Sequence, residues 1–265
     1  MIQLIVTDLD NTLLNDHKEV SRYSADILKK CREKGILIAF ATARPERATQ
    51  SMQKSIRPDY VIANNGATIS HKGAAIYNKA IEPDILEDLL QKLGTLEDVA
   101  CITVEAGDCL YTNFSAVPWD NENWNTVYHD FHQPFEKPVP KVSVESGNMQ
   151  AVRTLIAAWP HLHLYHNSGE NWCQIMHEDA TKMNAVRRIA SLARIPAANT
   201  AAFGDDFNDI DMIRCCGIGI AVANATETVR QAADHICAAN NEDGVAKWLN
   251  GHLLQGLSAV SHSFN

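Results

Sequence analysis

Two acidic residues, Asp8 and Asp10, directly follow a short apolar run near the start of the chain. The run, residues 2–6, is rich in branched side chains and predicts a strand buried on both faces. In an open parallel sheet, ligands bind just beyond the carboxyl ends of the strands. Two carboxylates crowded there repel each other unless a cation lies between them or one keeps a proton. The spacing predicts a metal site, a nucleophile with an acid–base partner, or both; the alternative is an acidic loop without a chemical role.

Other polar residues lie where later predicted strands end or where helices begin. Thr42 and Arg44 follow the apolar run 36–41, and Lys182 stands at the start of a predicted helix. The helix dipole disfavours a cation at that end by a few tenths to about 1 kcal/mol, and a bound anion would offset this cost. Lys182 is therefore a candidate anion ligand, and the alternative is a solvated lysine.

Residues 204–209, Gly-Asp-Asp-Phe-Asn-Asp, place several oxygen ligands of the kind Mg²⁺ prefers on one turn. They do not form a calcium loop, because Phe207 and Ile210 fall where alternating ligands would stand. Residues 217–219 lack the third small residue of a dinucleotide-binding loop, and no Walker A sequence occurs. Since parallel strands end along one edge of a sheet, we expect the polar residues to converge there. They are Asp8, Asp10, Thr12, Thr42, Lys182, Asp205, Asp206, Asn208 and Asp209.

The elements that must position these residues alternate between strands and helices. Apolar runs at 36–41 and 60–63 predict buried strands, and the periodic segment 21–34 predicts a helix that ends at Gly35. From Lys182 onward the same pattern returns, with predicted helices at 182–193, 209–215 and 225–233 and strands at 200–203 and 217–222. Strands that alternate with helices indicate βαβ units and a parallel α/β sheet.

The middle of the chain has a different pattern. A predicted helix at 83–93 leads into alternating, strand-like stretches near 100–104, 110–114, 141–144, 161–165 and 172–176, with a second helix at 149–159. An irregular aromatic segment lies between them. This composition predicts an α+β insert, an antiparallel sheet with helices on one face. We expect a core domain formed by 1–82 and 182–265 and an inserted cap domain at 83–181.

Composition limits the class of function. The 265-residue chain has a net charge of −9 and no dense block of Lys and Arg, which argues against a nucleic-acid partner. Its seven cysteines are scattered without a C-x-x-C pair, which is typical of reduced thiols in a cytoplasmic protein. Neither a signal peptide nor an apolar run of the roughly 18 residues that a membrane span needs is found. We expect a cytoplasmic protein with no membrane partner.

Taken in order, these motifs resemble those of haloacid dehalogenase (HAD) superfamily phosphatases of the Cof type. Residues 8–12 match the first motif, D-x-D-x-T; Thr42 matches the second, Lys182 the third and residues 204–209 the fourth, G-D-x-x-N-D. Residues 64–67 and 223–225 are also similar to segments of this branch. The resemblance implies a Rossmann-like HAD core with a parallel sheet and an inserted α+β cap of the C2 kind between the second and third motifs.

The chain departs from the usual pattern of these phosphatases at three positions. Ala43 stands where glycine is usual before the arginine, Met183 follows Lys182 where glycine is common, and His177 replaces a proline found in many relatives. The first two departures concern the phosphate pocket and remove no reacting group. The third departure bears on whether the substrate of a relative can be assigned to this chain.

The resemblance also implies the chemistry. Asp8 would attack phosphorus and form an aspartyl-phosphate, and Asp10 would act as general acid and then as general base. Mg²⁺ would be bound by the Asp8 side chain, the Asp10 carbonyl oxygen and Asp205, with Asp206 or Asp209 as additional or outer ligands. The resemblance therefore implies a Mg²⁺-dependent phosphoric monoester hydrolase.

The phosphoryl oxygens would be held by side chains and by backbone amides. The implied ligands are Thr42, Lys182, Asn208 and the amides of Leu9 and Ala43. Arg44 would reach the phosphate or support the loop, and Thr12 is a secondary member of the site.

The expected partner is a small phosphorylated metabolite, with sugar phosphates as the usual substrates of such enzymes, and the protein is expected to be a monomer or a small homo-oligomer. Substrate contacts from the cap are predicted among Trp119, Trp124, Glu170, Trp172 and His177. His161, His163 and His166 resemble a ligand cluster, but a second metal there is disfavoured.

Two alternatives remain open at the level of sequence. A phosphomutase would use the same core residues and return the phosphoryl group to its substrate, and a non-catalytic module would only bind a phosphorylated metabolite. A phosphatase would release free phosphate, whereas a phosphomutase would produce an isomerised sugar phosphate. The intact pair Asp8 and Asp10 argues against the second, since a binding module needs no acid–base group.

Overall fold

Two β-sheets with helices packed against them make up the computed structural model, which describes residues 1–114, 125–166 and 171–255. The strands are β1 Leu4–Thr7, β2 Leu37–Ala41, β3 Tyr60–Ala63, β4 Thr68–His71, β5 Ala74–Asn78, β6 Val99–Ala106, β7 Cys109–Thr112, β8 Thr126–Tyr128, β9 Lys141–Ser146, β10 Leu162–His166, β11 Trp172–His177, β12 Thr200–Gly204, β13 Ile218–Val222 and β14 His235–Cys237. The helices are α1 Arg22–Glu33, α2 Gln50–Ile56, α3 Pro83–Leu93, α4 Met149–Ile156, α5 Lys182–Ala193, α6 Ile210–Cys215, α7 Glu227–Ala232 and α8 Gly244–Leu249.

The first sheet, called the core sheet here, has the strand order β14-β13-β12-β1-β2-β3-β4-β5. Six of its strands, from β14 to β3, are parallel, as the alternation of strands and helices predicts. Helices cover both faces: along β1, Ile5 packs into the apolar cluster with α1, α2, α7 and α8, whereas Leu4 and Val6 pack into the cluster with α5 and α6. The prediction of a parallel α/β sheet is confirmed.

The antiparallel hairpin β4-β5 extends this sheet beyond the predicted strands. The hairpin turns through Lys72 and Gly73, both with positive φ of 51° and 82°. Two consecutive residues with positive φ match the right-handed twist of the flanking strands. The pair Lys-Gly is a weaker turn signal than Asn-Gly, which is why the sequence does not reveal the hairpin.

The second sheet, called the cap sheet here, has the order β10-β11-β9-β6-β7-β8. Its strands are antiparallel as predicted, except that β8 runs parallel to β7. One face packs on α3 and α4, and its apolar cluster also includes Ile81. Strand alternation places Ile102 and Val104 in this cluster and turns Thr103 and Glu105 toward the core sheet. The face without helices therefore covers the end of the core sheet.

Across the described ranges, the helices are all too short or too polar to cross a lipid bilayer.

Candidate active site

The site begins where β1 and β12 end side by side. The Asp8 amide donates a hydrogen bond to the Phe203 carbonyl oxygen at 3.0 Å, which aligns the ends of the two strands. Asp8 leaves β1 at this point, and Asp205 follows directly after β12. The sheet therefore brings together two motifs that are almost 200 residues apart in the chain, as the strand-end prediction requires.

Lys182 lies between two carboxylates at the start of α5. Its Nζ donates to Asp8 Oδ1 at 2.8 Å and to Asp209 Oδ1 at 2.6 Å, and all three side chains are buried. Burial lowers the pKa of Lys182, but the charges and hydrogen bonds of Asp209 and Asp8 outweigh it, so the pKa lies above its ordinary value. Lys182 is therefore a charged lysine whose ammonium group is fixed beside Asp8.

Two glycines allow the close approaches that form this centre. Gly66 has φ of +102° and packs against the carbonyl oxygen of Thr181, the residue that caps α5 through a hydrogen bond to the Asn184 amide. A Cβ atom on Gly204 would overlap the side chain of Asp209. The absence of side chains at these positions lets α5 and Asp209 reach the end of β1.

Asp209 also organises the loop after β12. Its Oδ2 accepts hydrogen bonds from the amides of Asp205 and Asp206, at 3.0 and 3.2 Å, while its Oδ1 binds Lys182. Asp206 caps the same turn by accepting from the Phe207 amide at 2.8 Å. The loop is thus held by the carboxylate that also contacts the lysine.

Asp8, Asp205 and Asp209 each place a carboxylate oxygen within 4.8 Å of the others, the one such group of potential metal ligands among the residues that the structure describes. Burial, together with the neighbouring acids, raises the pKa of Asp8 well above its usual range despite Lys182, and raises that of Asp205 to about 6. Thr12 Oγ1 donates to Asp205 Oδ1 at 2.6 Å. The cluster holds more negative charge than one lysine balances, and its donors are the oxygen ligands that Mg²⁺ prefers. A divalent cation fits these residues.

Asp10 points to a different set of partners. Arg44 donates from Nε to Oδ2 at 2.6 Å and from a terminal nitrogen to Oδ1 at 2.7 Å, and Lys18 Nζ lies 3.2 Å from Oδ1. Burial raises the pKa of Asp10, but the hydrogen bonds and charge of Arg44, with Lys18, outweigh it and bring the pKa below its ordinary value. Arg44 thus forms a bidentate salt bridge with Asp10.

Three of the predicted phosphate ligands, Thr42, Ala43 and Asn208, lie in the segments that follow β2 and β12. Thr42 Oγ1 accepts from the Arg44 amide at 3.1 Å, and Thr42 also accepts at its carbonyl oxygen from the Asn65 amide at 2.9 Å. Asn208 Nδ2 donates to Asn65 Oδ1 at 2.9 Å. Thr42, Ala43 and Asn208 line the same cleft as Asp8, whereas the Leu9 side chain is buried in the core cluster.

The cleft lies between the two sheets and has a volume of about 730 Å³. Trp172 lines it, as predicted for a cap contact, and so does Asp206. His177 does not line it: its ring stacks on His161, with centroids 6.2 Å apart, and accepts from the Asp179 amide. Of the three histidines considered as a cluster, His163 and His166 line the cleft and His161 does not. The predicted contacts Trp119, Trp124 and Glu170 lie outside the described residues.

Two contacts of the site are not indicated by the sequence motifs. Lys18 lies close to Asp10 from a polar turn, and Lys141 donates to the carbonyl oxygen of Ala43. Asn65 belongs to the segment 64–67 noted above, but only the structure shows that it links Asn208 to Gln174 of the cap sheet. The one available signal is strand alternation. Lys141 precedes the buried Val142 in β9, so its side chain must lie on the opposite face, toward the core sheet.

The chain is similar to known hydrolases and phosphatases over most of its length. The model of the haloacid dehalogenase-like hydrolase family matches residues 5–249. YxeH of Bacillus subtilis is 32% identical over 267 residues, which cover 93% of this chain and 96% of that protein. The 5-amino-6-(5-phospho-D-ribitylamino)uracil phosphatase YitU of Bacillus subtilis is 24% identical over 262 residues, 93% of this chain and 96% of that protein. The solved structure of the HAD subclass IIB sugar phosphatase BT4131 has a TM-score of 0.77 at 23% identity, covering 94% of this chain and 98% of that one.

Proposed function

We propose that this chain, which belongs to the haloacid dehalogenase-like hydrolase family and is a phosphatase, is a Mg²⁺-dependent phosphomonoesterase. Its substrates are small phosphorylated polyols, sugar phosphates among them, and its reaction passes through an aspartyl-phosphate. The observation that carries the proposal is the buried contact of Lys182 with Asp8, 2.8 Å long, inside a three-carboxylate cluster at the floor of the cleft. A lysine ammonium beside a nucleophilic carboxylate neutralises the charge of an approaching phosphoryl group.

In the first step, Asp8 attacks phosphorus with its carboxylate, the bond from phosphorus to the alcohol oxygen breaks, and Asp10 gives that oxygen a proton. Lys182 holds Asp8 Oδ1, which leaves the second oxygen for the attack. Thr42, Asn208 and the amides of Leu9 and Ala43 receive the phosphoryl oxygens. Asp8, Asp205 and Asp209, with the Asp10 carbonyl oxygen, would hold Mg²⁺, which when bound neutralises negative charge on the nucleophile and on the phosphoryl group.

In the second step, water attacks the aspartyl-phosphate and Asp10 takes up its proton, so that inorganic phosphate leaves and Asp8 is restored. The bidentate salt bridge with Arg44 lowers the pKa of Asp10 and so favours the ionised carboxylate that accepts this proton. In the first step Asp10 must instead carry a proton, and the salt bridge opposes that form. Arg44 is accordingly proposed to hold Asp10 and not the phosphate.

The substrate class is inferred from the cleft and from the relatives. The cap wall offers hydroxyl, amide and ring groups, among them Thr103, Ser143, Gln174 and Trp172, which suit the hydroxyl groups of a polyol. One relative acts, by its name, on a phosphorylated ribityl group, and a structural neighbour is a sugar phosphatase.

We further propose that residues 1–82 and 182–265 act as the core domain and residues 83–181 as the cap. The two sheets support this division, because β1–β5 and β12–β14 form the core sheet and β6–β11 form the cap sheet. Lys79 lies 3.3 Å from Asp179 across the two connecting segments, while Ile81, next to the first junction, packs with the cap.

The test is release of inorganic phosphate from a panel of phosphorylated metabolites, with Asp8→Asn as the inactive variant and Asp26→Asn as its matched control. Asp26 is an exposed acid on α1, so its replacement removes the same charge away from the cleft. We expect wild type and Asp26→Asn to release phosphate, chelator-treated wild type to be inactive until Mg²⁺ is restored, and Asp8→Asn to lose turnover. Full turnover by Asp8→Asn, checked by mass for deamidation, would refute the assignment of the nucleophile, and isomerised substrate without free phosphate would indicate a mutase.

A further inference from the structure

The cap sheet contacts the loop of the second motif through a buried lysine. Lys141, the first residue of β9, donates from Nζ to the Ala43 carbonyl oxygen at 3.0 Å, and only 5% of the residue is exposed. That carbonyl belongs to the peptide whose amide group, that of Arg44, donates to Thr42 Oγ1 at 3.1 Å. The peptide between Ala43 and Arg44 is therefore held at one end by the cap and at the other by Thr42.

A second connection runs from the cap sheet to the fourth motif. Gln174 of β11 accepts at Oε1 from Asn65 Nδ2 at 2.9 Å, and Asn65 accepts at Oδ1 from Asn208 Nδ2 at 2.9 Å. Asn65 is buried and has φ of +53°, so its side chain is fixed between the two partners. The orientation of the Asn208 amide thus depends on a chain of two hydrogen bonds that begins in the cap.

The charges around Lys141 indicate that stability alone does not account for its contact with Ala43. Glu105 is the cross-strand partner of Lys141, and it lies 2.7 Å from Arg47 of the core. Burial lowers the pKa of Lys141 and Arg47 adds to this, while Glu105 opposes it. Apolar side chains at such an interface would stabilise it at least as well as buried charges do. A lysine here instead supplies a directed hydrogen bond to one carbonyl oxygen.

We propose that Lys141 and Gln174 are positioning residues for phosphoryl transfer: with the cap over the site, Lys141 orients the Ala43 peptide and Gln174, through Asn65, orients the Asn208 amide. This inference rests on the proposed phosphatase function. It means that the cap completes the phosphate pocket as well as covering the substrate. Even an ester with nothing for the cap to bind would then need these two contacts.

The experiment measures kcat and KM for p-nitrophenyl phosphate and the inhibition constant of inorganic phosphate, with Mg²⁺ present. Lys141→Met and Gln174→Leu remove one contact each at similar side-chain size. Gln174→Glu keeps the acceptor for Asn65. Lys137→Met is the matched control for Lys141→Met, since Lys137 is an exposed lysine of the cap that does not line the cleft. Thermal unfolding of each variant is followed by circular dichroism.

We expect Lys141→Met and Gln174→Leu to lower kcat by on the order of 10- to 100-fold, because small displacements of positioned groups cost that much. The inhibition constant of phosphate should rise in parallel. Gln174→Glu should keep more of the activity than Gln174→Leu, because it retains the acceptor for Asn65. Lys137→Met should stay within about threefold of wild type, as exposed substitutions away from a site usually do.

The inference is overturned if Gln174→Leu and Lys141→Met are folded and both leave kcat and phosphate inhibition at wild-type values. If Lys141→Met does not fold, Gln174→Leu and its partner variant Gln174→Glu decide the matter. Equal loss in Gln174→Leu and Gln174→Glu would also contradict the inference, because the acceptor at residue 174 would then be irrelevant. Wild-type protein that hydrolyses no ester refutes the proposed function instead, so the two failures are distinguishable.

Discussion

Replacement of Lys182 by methionine tests the electrostatics of the site without a substrate. The change keeps the length of the side chain and removes the ammonium group that contacts Asp8 and Asp209 at 2.8 and 2.6 Å. The side chain of Lys182 is 1% exposed, and those of Asp8 and Asp209 are 9% and 0% exposed. Water therefore cannot replace the lost partner, and the variant is left with buried, uncompensated negative charge.

The expected cost follows from this burial. Removal of one partner from a buried ion pair destabilises a protein by about 3–5 kcal/mol. We expect this loss for Lys182→Met at pH 8. The pKa of Asp8 is already raised in the wild type, and without Lys182 it rises further. A raised folded-state pKa of an acid favours folding at low pH and loses that effect as pH rises through it. The deficit should therefore shrink as pH falls from 8 to 5, by up to about 1.4 kcal/mol per pH unit while one proton is taken up. Over this range Lys182 stays charged in the wild type, because its pKa is raised.

The free energy of unfolding in urea, followed by circular dichroism in the presence of a chelator, measures both quantities. Lys54→Met, at an exposed lysine of α2, is the matched control and should differ from wild type by less than about 0.5 kcal/mol. A deficit of Lys182→Met below about 1 kcal/mol at pH 8, or one that does not change with pH, would refute the reasoning. Either result would mean that Asp8 and Asp209 do not need the lysine charge in the folded protein.

Three further variants test other contacts of the site. Thr12→Val removes the hydrogen bond to Asp205 and should raise the Mg²⁺ concentration for half-maximal phosphate release by about tenfold, with kcat at saturating Mg²⁺ nearly unchanged; a large fall in kcat would contradict this. Arg44→Gln should raise the pKa of Asp10 and shift the acidic limb of the kcat–pH profile to higher pH, since Asp10 must be ionised to accept a proton. An unchanged acidic limb would mean that Arg44 does not set the pKa of Asp10. Gly66→Ala should lower the free energy of unfolding more than Gly73→Ala does, because both glycines have positive φ and only Gly66 packs against Thr181. Equal losses would mean that backbone strain alone, and not the contact with Thr181, accounts for the effect.

Local sequence is sufficient for the parts of the fold in which neighbouring residues decide the outcome. Residues 4–6 are apolar and branched and favour a buried strand, so the polar residues that follow lie at its end. Helix α5 begins at Lys182, and the side chain of the preceding residue, Thr181, caps it by accepting a hydrogen bond from the Asn184 amide. The same reasoning fails for β14 and for the hairpin β4-β5, which are short or have weak turn signals and form because neighbouring strands offer hydrogen-bonding edges.

The sequence by itself determined the sheet type, the order of the four motifs and the identity of the residues at the carboxyl edge. Only the tertiary structure decided how those residues are paired. It joins Lys182 to Asp8 and Asp209, ties Asp10 to Arg44 and Lys18, and brings Lys141 to Ala43. Except for Asp10 and Lys18, which lie on the same connection between β1 and α1, these contacts join segments that are separated by at least one strand or helix. The order of side chains along the chain does not specify these contacts. They form because packing of the helices and strands removes certain charged groups from water, and a buried charge is costly unless it has a partner.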